Sequence, residues 1–428
     1  MNRSDAPDTG QMSGSSRPGW LHPAIVRAAI LAIAAGYAQF AVTTVLGEVA
    51  VEFGAAATED PLAQEVGLST TTLGIGLAVI RLAGIGALVA AALGDRFGRR
   101  TLLLGLVGFG LALSTGAAAS PGFWVFVAIT AAARPLLSGT NALVAVVAAE
   151  ETTTKDRSKA MALIQAAYAL GSGLVAMLHG FASLNFRWIF ALSVVPLVLL
   201  PLIGRGMEES PLYEDLPPDQ RPGVPGSIDR ALIPRLAIIT GLAFAAALVT
   251  GPALTYLFVY GENVLGAAPS FMSTIVLLAG PVGLVGLLLG RWGADHVGRR
   301  WTAGIATLIM IAAGALAYGG TVPMLVAGYL ALIAGGGAIG PSGGTLIAEV
   351  FPTKARATAN GWATAFGVIG AVTGLASFGV LADVFGSFAT AAMVLWLPTA
   401  PTVLLYALLP ETRGRELHAV NELGQSSR

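Results

Sequence analysis

Long apolar stretches alternate along the chain with short breaks of polar, basic or proline-containing sequence. Taking the breaks as boundaries, the pattern predicts helices over 24–50, 67–92, 101–119, 121–148, 159–182 and 186–205. After a gap it predicts a second set over 234–260, 270–292, 302–319, 322–347, 359–385 and 386–409. Each stretch is close to the ~20 apolar residues that cross a bilayer core. The expected fold is therefore all-α and integral to a membrane, with twelve transmembrane helices in two six-helix halves. In the gap, 206–233, acids, prolines and bases replace the apolar run, as in a soluble linker. The organisation read from the pattern is a polar tail over 1–23, a half over 24–205, the linker over 206–233, a half over 234–409 and a tail over 410–428.

Composition turns this pattern into a statement about solvent. Hydrophobic residues make up 55% of the 428 and charged residues only 11%, with a mean hydropathy of +0.75. A soluble domain carries about a quarter charged residues, so this chain has too little polar surface to cover itself in water. A formal net charge of zero argues against nucleic acid as a partner. The absence of cysteine excludes disulfides, thiolate metal sites and cysteine nucleophiles. His22, His179, His296 and His418 are scattered without the spacing of metal ligands. No metal, no cofactor and no catalytic constellation is expected, which points away from an enzyme.

The distribution of bases orients the chain, because Lys and Arg accumulate in cytoplasmic loops. With twelve spans and both termini inside, every Lys and Arg except Arg81, Arg134 and Arg187 falls on the cytoplasmic side. The first outer loop contains Glu52, Glu59, Asp60 and Glu65 with no base. The two halves also repeat. GDRFGRR (94–100) between helices 2 and 3 returns as ADHVGRR (294–300) between helices 8 and 9, so Asp95, Gly98, Arg99 and Arg100 recur as Asp295, Gly298, Arg299 and Arg300. After helices 4 and 10, Glu150, Thr154, Lys155, Arg157 and Gly171 recur as Glu349, Thr353, Lys354, Arg356 and Gly370. Two equivalent six-helix halves place a substrate between them near the membrane midplane.

At these residues the chain resembles the major facilitator superfamily over nearly its whole length. EESPLYE (208–214) and LPETRGRELH (409–418) resemble the PESPR and PETKG signatures of its sugar porter and metabolite:proton symporter branch. FRW (186–188) and EVFPTKARATANG (349–361) sit where that branch has similar residues. The resemblance implies a cytoplasmic gate in which Asp95, Arg99 and Arg100, and in the second copy Asp295, Arg299 and Arg300, pair with acids at helix ends. Glu150 or Glu151, and Glu349 beside Arg356, are the matching acids and base. The same loops could instead serve only to anchor the helices. RPLLSG (134–139) resembles the family's helix 4 pattern of an arginine followed five residues later by glycine, which the resemblance links to proton coupling. GYAQF (36–40), in contrast, has Ala38 where many proton-coupled members carry an aspartate. That departure leaves uniport open beside symport.

A charged side chain at the centre of a membrane helix costs about 2.5–3.5 kcal/mol on insertion scales. Arg134, followed by Ser138 and Asn141 at i+4 and i+7, forms a polar stripe that the helical period places on one face. Arg81 lies halfway along helix 2 among Gly74, Gly76, Gly84 and Gly86, which permit close helix approach. No carboxylate falls at the same depth, since Glu48, Glu52, Glu262 and Asp383 lie near predicted helix ends. A cavity with guanidinium and little acid favours an anion, because guanidinium grips carboxylate or phosphate in a bidentate fork. Spacing adds Tyr37, Thr44 and Glu48 on helix 1, Gln165, Tyr168 and Ser172 on helix 5, and Tyr256, Tyr260 and Asn263 on helix 7. Arg81, Glu48 and Glu262 are the candidates for proton coupling. The glycine-rich IAGGGAIGPSGGT (333–345) fits either a bendable gate or close packing.

The expected function is transport of a small polar metabolite, a sugar or an organic anion, by alternating access, with protons as a candidate co-substrate. The protein would act as a monomer in the lipid bilayer of the cytoplasmic membrane. An efflux antiporter of the same fold and a non-transporting membrane sensor are the competing readings.

Overall fold

The computed structural model describes residues 19–54, 61–87, 98–152, 156–205, 207, 230–351 and 353–410. Among the described residues run twelve apolar helices, beginning with α1 (Pro23–Thr44), α2 (Thr70–Ala83), α3 (Arg99–Ala117), α4 (Phe123–Glu150), α5 (Arg157–Ala182) and α6 (Phe186–Ala191 continuing as Val194–Gly204). The second half repeats them as α7 (Ile233–Thr255), α8 (Pro269–His296), α9 (Arg299–Ala317), α10 (Val322–Val350), α11 (Thr353–Phe385) and α12 (Phe388–Trp396 tightening into a 3-10 helix over Leu397–Leu408). Two of the expected spans stop early. α1 ends at Thr44 and hands over at Val45 to a short helix, Leu46–Phe53; α7 ends at Thr255 and is followed by a π-helical turn, Val259–Val264. Both breaks sit at the same end of the bundle. α12 tightens where prolines, Pro401 among them, withhold backbone donors.

Within a bilayer no hydrophobic force drives one apolar helix against another, so close contact depends on small residues that let backbones approach. A Cβ at Gly171 would lie 2.1 Å from the Ile33 carbonyl oxygen, and one at Gly36 would lie 2.2 Å from that of Tyr168. These two glycines lock α5 onto α1. In the second half a Cβ at Gly370 would lie 2.2 Å from the Phe244 carbonyl oxygen, which locks α11 onto α7. Gly171 and Gly370 are a repeated pair of the sequence, so the repeat records the same helix crossing in each half. Gly335 and Gly337 of the glycine-rich segment likewise meet α9 and α8 at contact distance, whereas Gly336 and Gly340 face open space. α10 runs unbroken through Pro341, and its glycines are used at least in part for packing. Gly370→Val should therefore cost about 1–3 kcal/mol by overpacking, read as a lowered unfolding temperature in detergent. Gly336→Ala should be neutral or stabilising by up to ~1 kcal/mol.

The repeated loop motif also acquires a physical reason. Gly98 and Gly298 immediately precede α3 and α9 with φ of 88° and 120°, a backbone that side chains with a Cβ rarely adopt. The turn aims the following arginines at the last helix of each half. Arg100 Nη2 donates to the Gly204 carbonyl at 3.0 Å, and Arg300 Nη1 donates to those of Ala407 and Leu409 at 3.2 and 3.1 Å. A guanidinium there meets the unsatisfied carbonyls and partial negative charge of a helix C-terminus.

The halves meet at the end of the bundle where α1 and α7 break. α2 packs on α11 and α5 on α8. A Cβ at Gly379 would lie 2.2 Å from the Thr70 carbonyl oxygen and one at Gly180 would lie 2.2 Å from Ser273 Oγ, so both contacts are close. Asp383 of α11 accepts hydrogen bonds from Ser69 Oγ (2.7 Å), Thr70 N (2.9 Å) and Thr71 N (2.8 Å), capping α2 from the opposite half. Asn263 Nδ2 donates to the carbonyls of Gly47 and Val66, and Tyr256 Oη to that of Thr70. This end is closed. The outer flanks carry exposed large apolar side chains such as Phe109, Trp188, Val198, Leu202 and Leu404, a surface suited to hydrocarbon and not to water.

Candidate functional site

Beneath the closed end, a cavity of about 280 Å³ lies between the halves. Its wall from the first half consists of Gln39, Phe40, Val42 and Thr43 of α1, Leu77, Ile80 and Arg81 of α2, Arg134 of α4 and Tyr168 of α5. The second half contributes Thr250, Gly251, Leu254 and Thr255 of α7 and Leu375 of α11. Charge is thus confined to one wall, and hydroxyl and apolar groups face it. The volume is at the small end of the ~300–1,000 Å³ range of ligand pockets.

Arg134 lies in the interior of α4, which runs continuously from Phe123 to Glu150 despite the adjacent Pro135. Gly84 and Gly86 let α2 lie close to Arg134 and Pro135, with the space for a Cβ at Gly86 ending 3.0 Å from the proline ring. Two guanidinium groups on separate helices therefore share one cavity. No carboxylate among the described residues makes an ion pair with Arg81 or Arg134. Ser138 Oγ donates to Gln39 Oε1 at 3.2 Å, while the buried Gln39 Nε2 finds no partner. Asn141, one turn further on, has a buried Oδ1 without a donor and does not line the cavity.

The other sequence candidates separate. Tyr168 reaches the cavity, but Gln165 is exposed elsewhere on α5. Tyr37 turns away, donating its hydroxyl to the Ile189 carbonyl at 2.7 Å. Tyr256 is fully buried in the roof, in an aromatic cluster with Phe378 and Phe388. Spacing had grouped Tyr37, Thr44 and Glu48, whereas the α1 face toward the cavity carries Gln39 and Thr43, an i, i+4 polar pair that the same spacing would have found. Thr250 and Thr255 gave no comparable signal.

Of the gate residues, Asp95 and the side chains of Glu150 and Glu349 lie outside the described residues. Arg99 is buried, Glu151 and Arg356 are partly buried, and Asp295 is exposed. Arg299 opens α9 beside Arg300. The bonds given above for Arg100 and Arg300 run to helix-terminal carbonyls.

Glu48 and Glu262 lie at the closed end and not in the cavity. Glu48 Oε2 accepts from the Phe186 amide at the start of α6 at 2.6 Å, and Glu262 contacts His179 of α5. Arg187 pairs with Glu52 at 3.0 Å and donates to the carbonyls of Ala118 and Ser120.

A twelve-helix bundle in two repeated halves, closed at one end over a central cavity, is the architecture of a helical membrane transporter. The chain belongs to the Major Facilitator Superfamily, whose model matches residues 28–293 and 236–425. It is a multi-pass membrane protein and a transporter of small metabolites by alternating access. Among its relatives is a gentisate transporter of Corynebacterium glutamicum, 27% identical over 349 residues that cover 73% of each chain. A probable 4-methylmuconolactone transporter of Cupriavidus pinatubonensis is 25% identical over 382 residues, 83% of this chain and 86% of that one. The fold is similar to the crystal structure of a D-xylose-proton symporter, with a TM-score of 0.72, 19% identity and coverage of 92% and 99%.

Proposed function

We propose that this chain carries a small organic acid, most simply an aromatic carboxylate, across the cytoplasmic membrane, with the carboxylate held between Arg81 and Arg134. The observation that carries this reading is the pair of guanidinium groups on one cavity wall without an acid beside them. Two like charges in a poorly hydrated site repel each other, and each alone is costly at mid-depth. An arriving carboxylate relieves both costs and pairs with the planar donors in a bidentate fork. Phe40, Leu77, Ile80, Leu254 and Leu375 supply an apolar surface for a ring. The names of the relatives that transport gentisate and a muconolactone favour this class over a sugar.

In this reading both termini are cytoplasmic, the closed end faces outward and the cavity is reached from the cytoplasm. The units that rock are 24–205 and 234–409, joined by the linker 206–233, and one copy of the chain suffices. Arg81 and Arg134 bind the substrate, with Gln39, Tyr168 and Ser138 around them. The duplicated Arg100 and Arg300 loops hold the helix ends together as the halves move. Calorimetric titration of the purified protein with gentisate and with D-xylose tests the substrate class. Saturable heat with gentisate and none with D-xylose is the expected result. Binding of the sugar alone would sink the reading.

A further inference from the structure

We propose that His179, Glu48 and Glu262 form a proton-binding clasp, in which closing this end of the bundle takes up a proton on an imidazole held between carboxylates of the two halves. His179 belongs to α5 and Glu48 to the short helix after α1, both in the first half; Glu262 lies on the π-helical turn after α7 in the second. The imidazole side chain is 2% exposed. Its Nε2 lies 3.0 and 3.1 Å from the two carboxylate oxygens of Glu262, and its Nδ1 lies 3.4 Å from Glu48 Oε1. The Phe258 ring meets it edge-on.

The chemistry of the donors decides the protonation state. A neutral imidazole has one N–H and one lone pair, whereas an ionised carboxylate only accepts. With a carboxylate against each nitrogen, the neutral ring would turn its lone pair toward a negative oxygen. Imidazolium donates from Nε2 to Glu262 and turns its second N–H toward Glu48, an ion-pair contact at 3.4 Å and not a formed hydrogen bond. Opening the end must part Glu262 from His179, since they belong to different halves, and it leaves the ring one carboxylate and water. The proton is therefore held more firmly when the end is closed, and by reciprocity the proton favours closure.

No other ionisable group competes among the described residues. At this depth α1 brings Tyr37, whose hydroxyl is bound to the Ile189 carbonyl, and α8 brings Ser273, whose Oγ has no hydrogen-bond partner. α4 carries Arg134 toward the cavity. Arg187, at the start of α6, is committed to Glu52 and to the carbonyls of Ala118 and Ser120. Tyr260, on the same turn as Glu262, accepts from the Gly320 amide. A vestibule of about 590 Å³ lined by Glu48, Glu52, Arg187, Glu262 and Asn263 opens over the clasp and offers protons a route to it. The clasp lies at the closed end, apart from the cavity that holds Arg81 and Arg134, so it is independent of the anion reading above.

The chain has no cysteine, so spin labels on Val51→Cys and Ala268→Cys report the distance across the closed end of the full-length protein in nanodiscs without substrate. Above about pH 6.5, the ordinary imidazole value, the closed-to-open ratio should fall with rising pH by up to about tenfold per pH unit, the limit for one proton, and below it the ratio should level off. His179→Gln should flatten that dependence. Glu262→Gln, which keeps the size and shape of this largely buried side chain, should flatten it as well. A wild-type pH dependence retained in either variant, or a pH-independent ratio in the parent, would overturn the proposal.

Discussion

Arg134→Gln is expected to raise the concentration of an aromatic carboxylate needed for half-maximal uptake roughly 10- to 100-fold. That range follows from the ~1.5–3 kcal/mol of a hydrogen bond to a charged group, at about 1.4 kcal/mol per factor of ten. Arg134→Lys should lose less, because the ammonium keeps the charge but not the planar fork. Arg81 remains in both variants, so a residual anion site should persist, and the double replacement of Arg81 and Arg134 should lose more than either alone. The glutamine variant should insert and fold normally, since removing an unpaired charge from the middle of a membrane helix is favourable in itself. Uptake by proteoliposomes, with protein amount and orientation matched, gives the comparison. Unchanged half-saturation in correctly inserted Arg134→Gln would assign the arginine a structural role and remove the basis for an anionic substrate.

The second large effect is expected at Asp383. Its carboxylate accepts from the Thr70 and Thr71 amides of α2 from the other half of the protein, beside the helix's own N-cap Ser69, whose Oγ accepts from the Thr72 amide. When the halves part at this end those bonds must break, so the energy they contribute belongs to the closed state alone. In Asp383→Asn the side-chain amide offers one accepting oxygen, whereas the carboxylate of Asp383 uses two against Ser69, Thr70 and Thr71. Loss of a cap costs about 0.5–2 kcal/mol, so Asp383→Asn should lower the closed-to-open ratio by roughly 3- to 30-fold. The label pair Val51→Cys and Ala268→Cys would show the longer distance gaining population. Gly379→Leu should act in the same direction, by wedging the α2–α11 crossing that brings Asp383 within reach. A distance distribution identical to the parent in Asp383→Asn would mean that the cap is replaced by water at no net cost and does not hold the gate.

Fold and site were legible in the sequence to different depths, and the reason is the range of the interactions involved. Apolar length alone set the membrane as solvent and counted the helices, because each span is a local property of about twenty residues. The repeated Gly98 and Gly298 were visible as letters, though their left-handed backbone and the aim of Arg100 and Arg300 at helix-end carbonyls were not. Arg134 stood out because a charge in an apolar stretch is anomalous wherever the helix goes. Which neighbours it would meet was a tertiary matter: Arg81 comes from α2, Thr250 and Leu254 from the opposite half, and no spacing rule links residues so far apart in the chain. Glu262 and His179 show the limit most plainly. Glu262 is a coupling candidate from its sequence position and His179 only one of four scattered histidines, but nothing in the chain links the two; that contact depends on where α1, α5 and α7 end in space and not on any period along the chain.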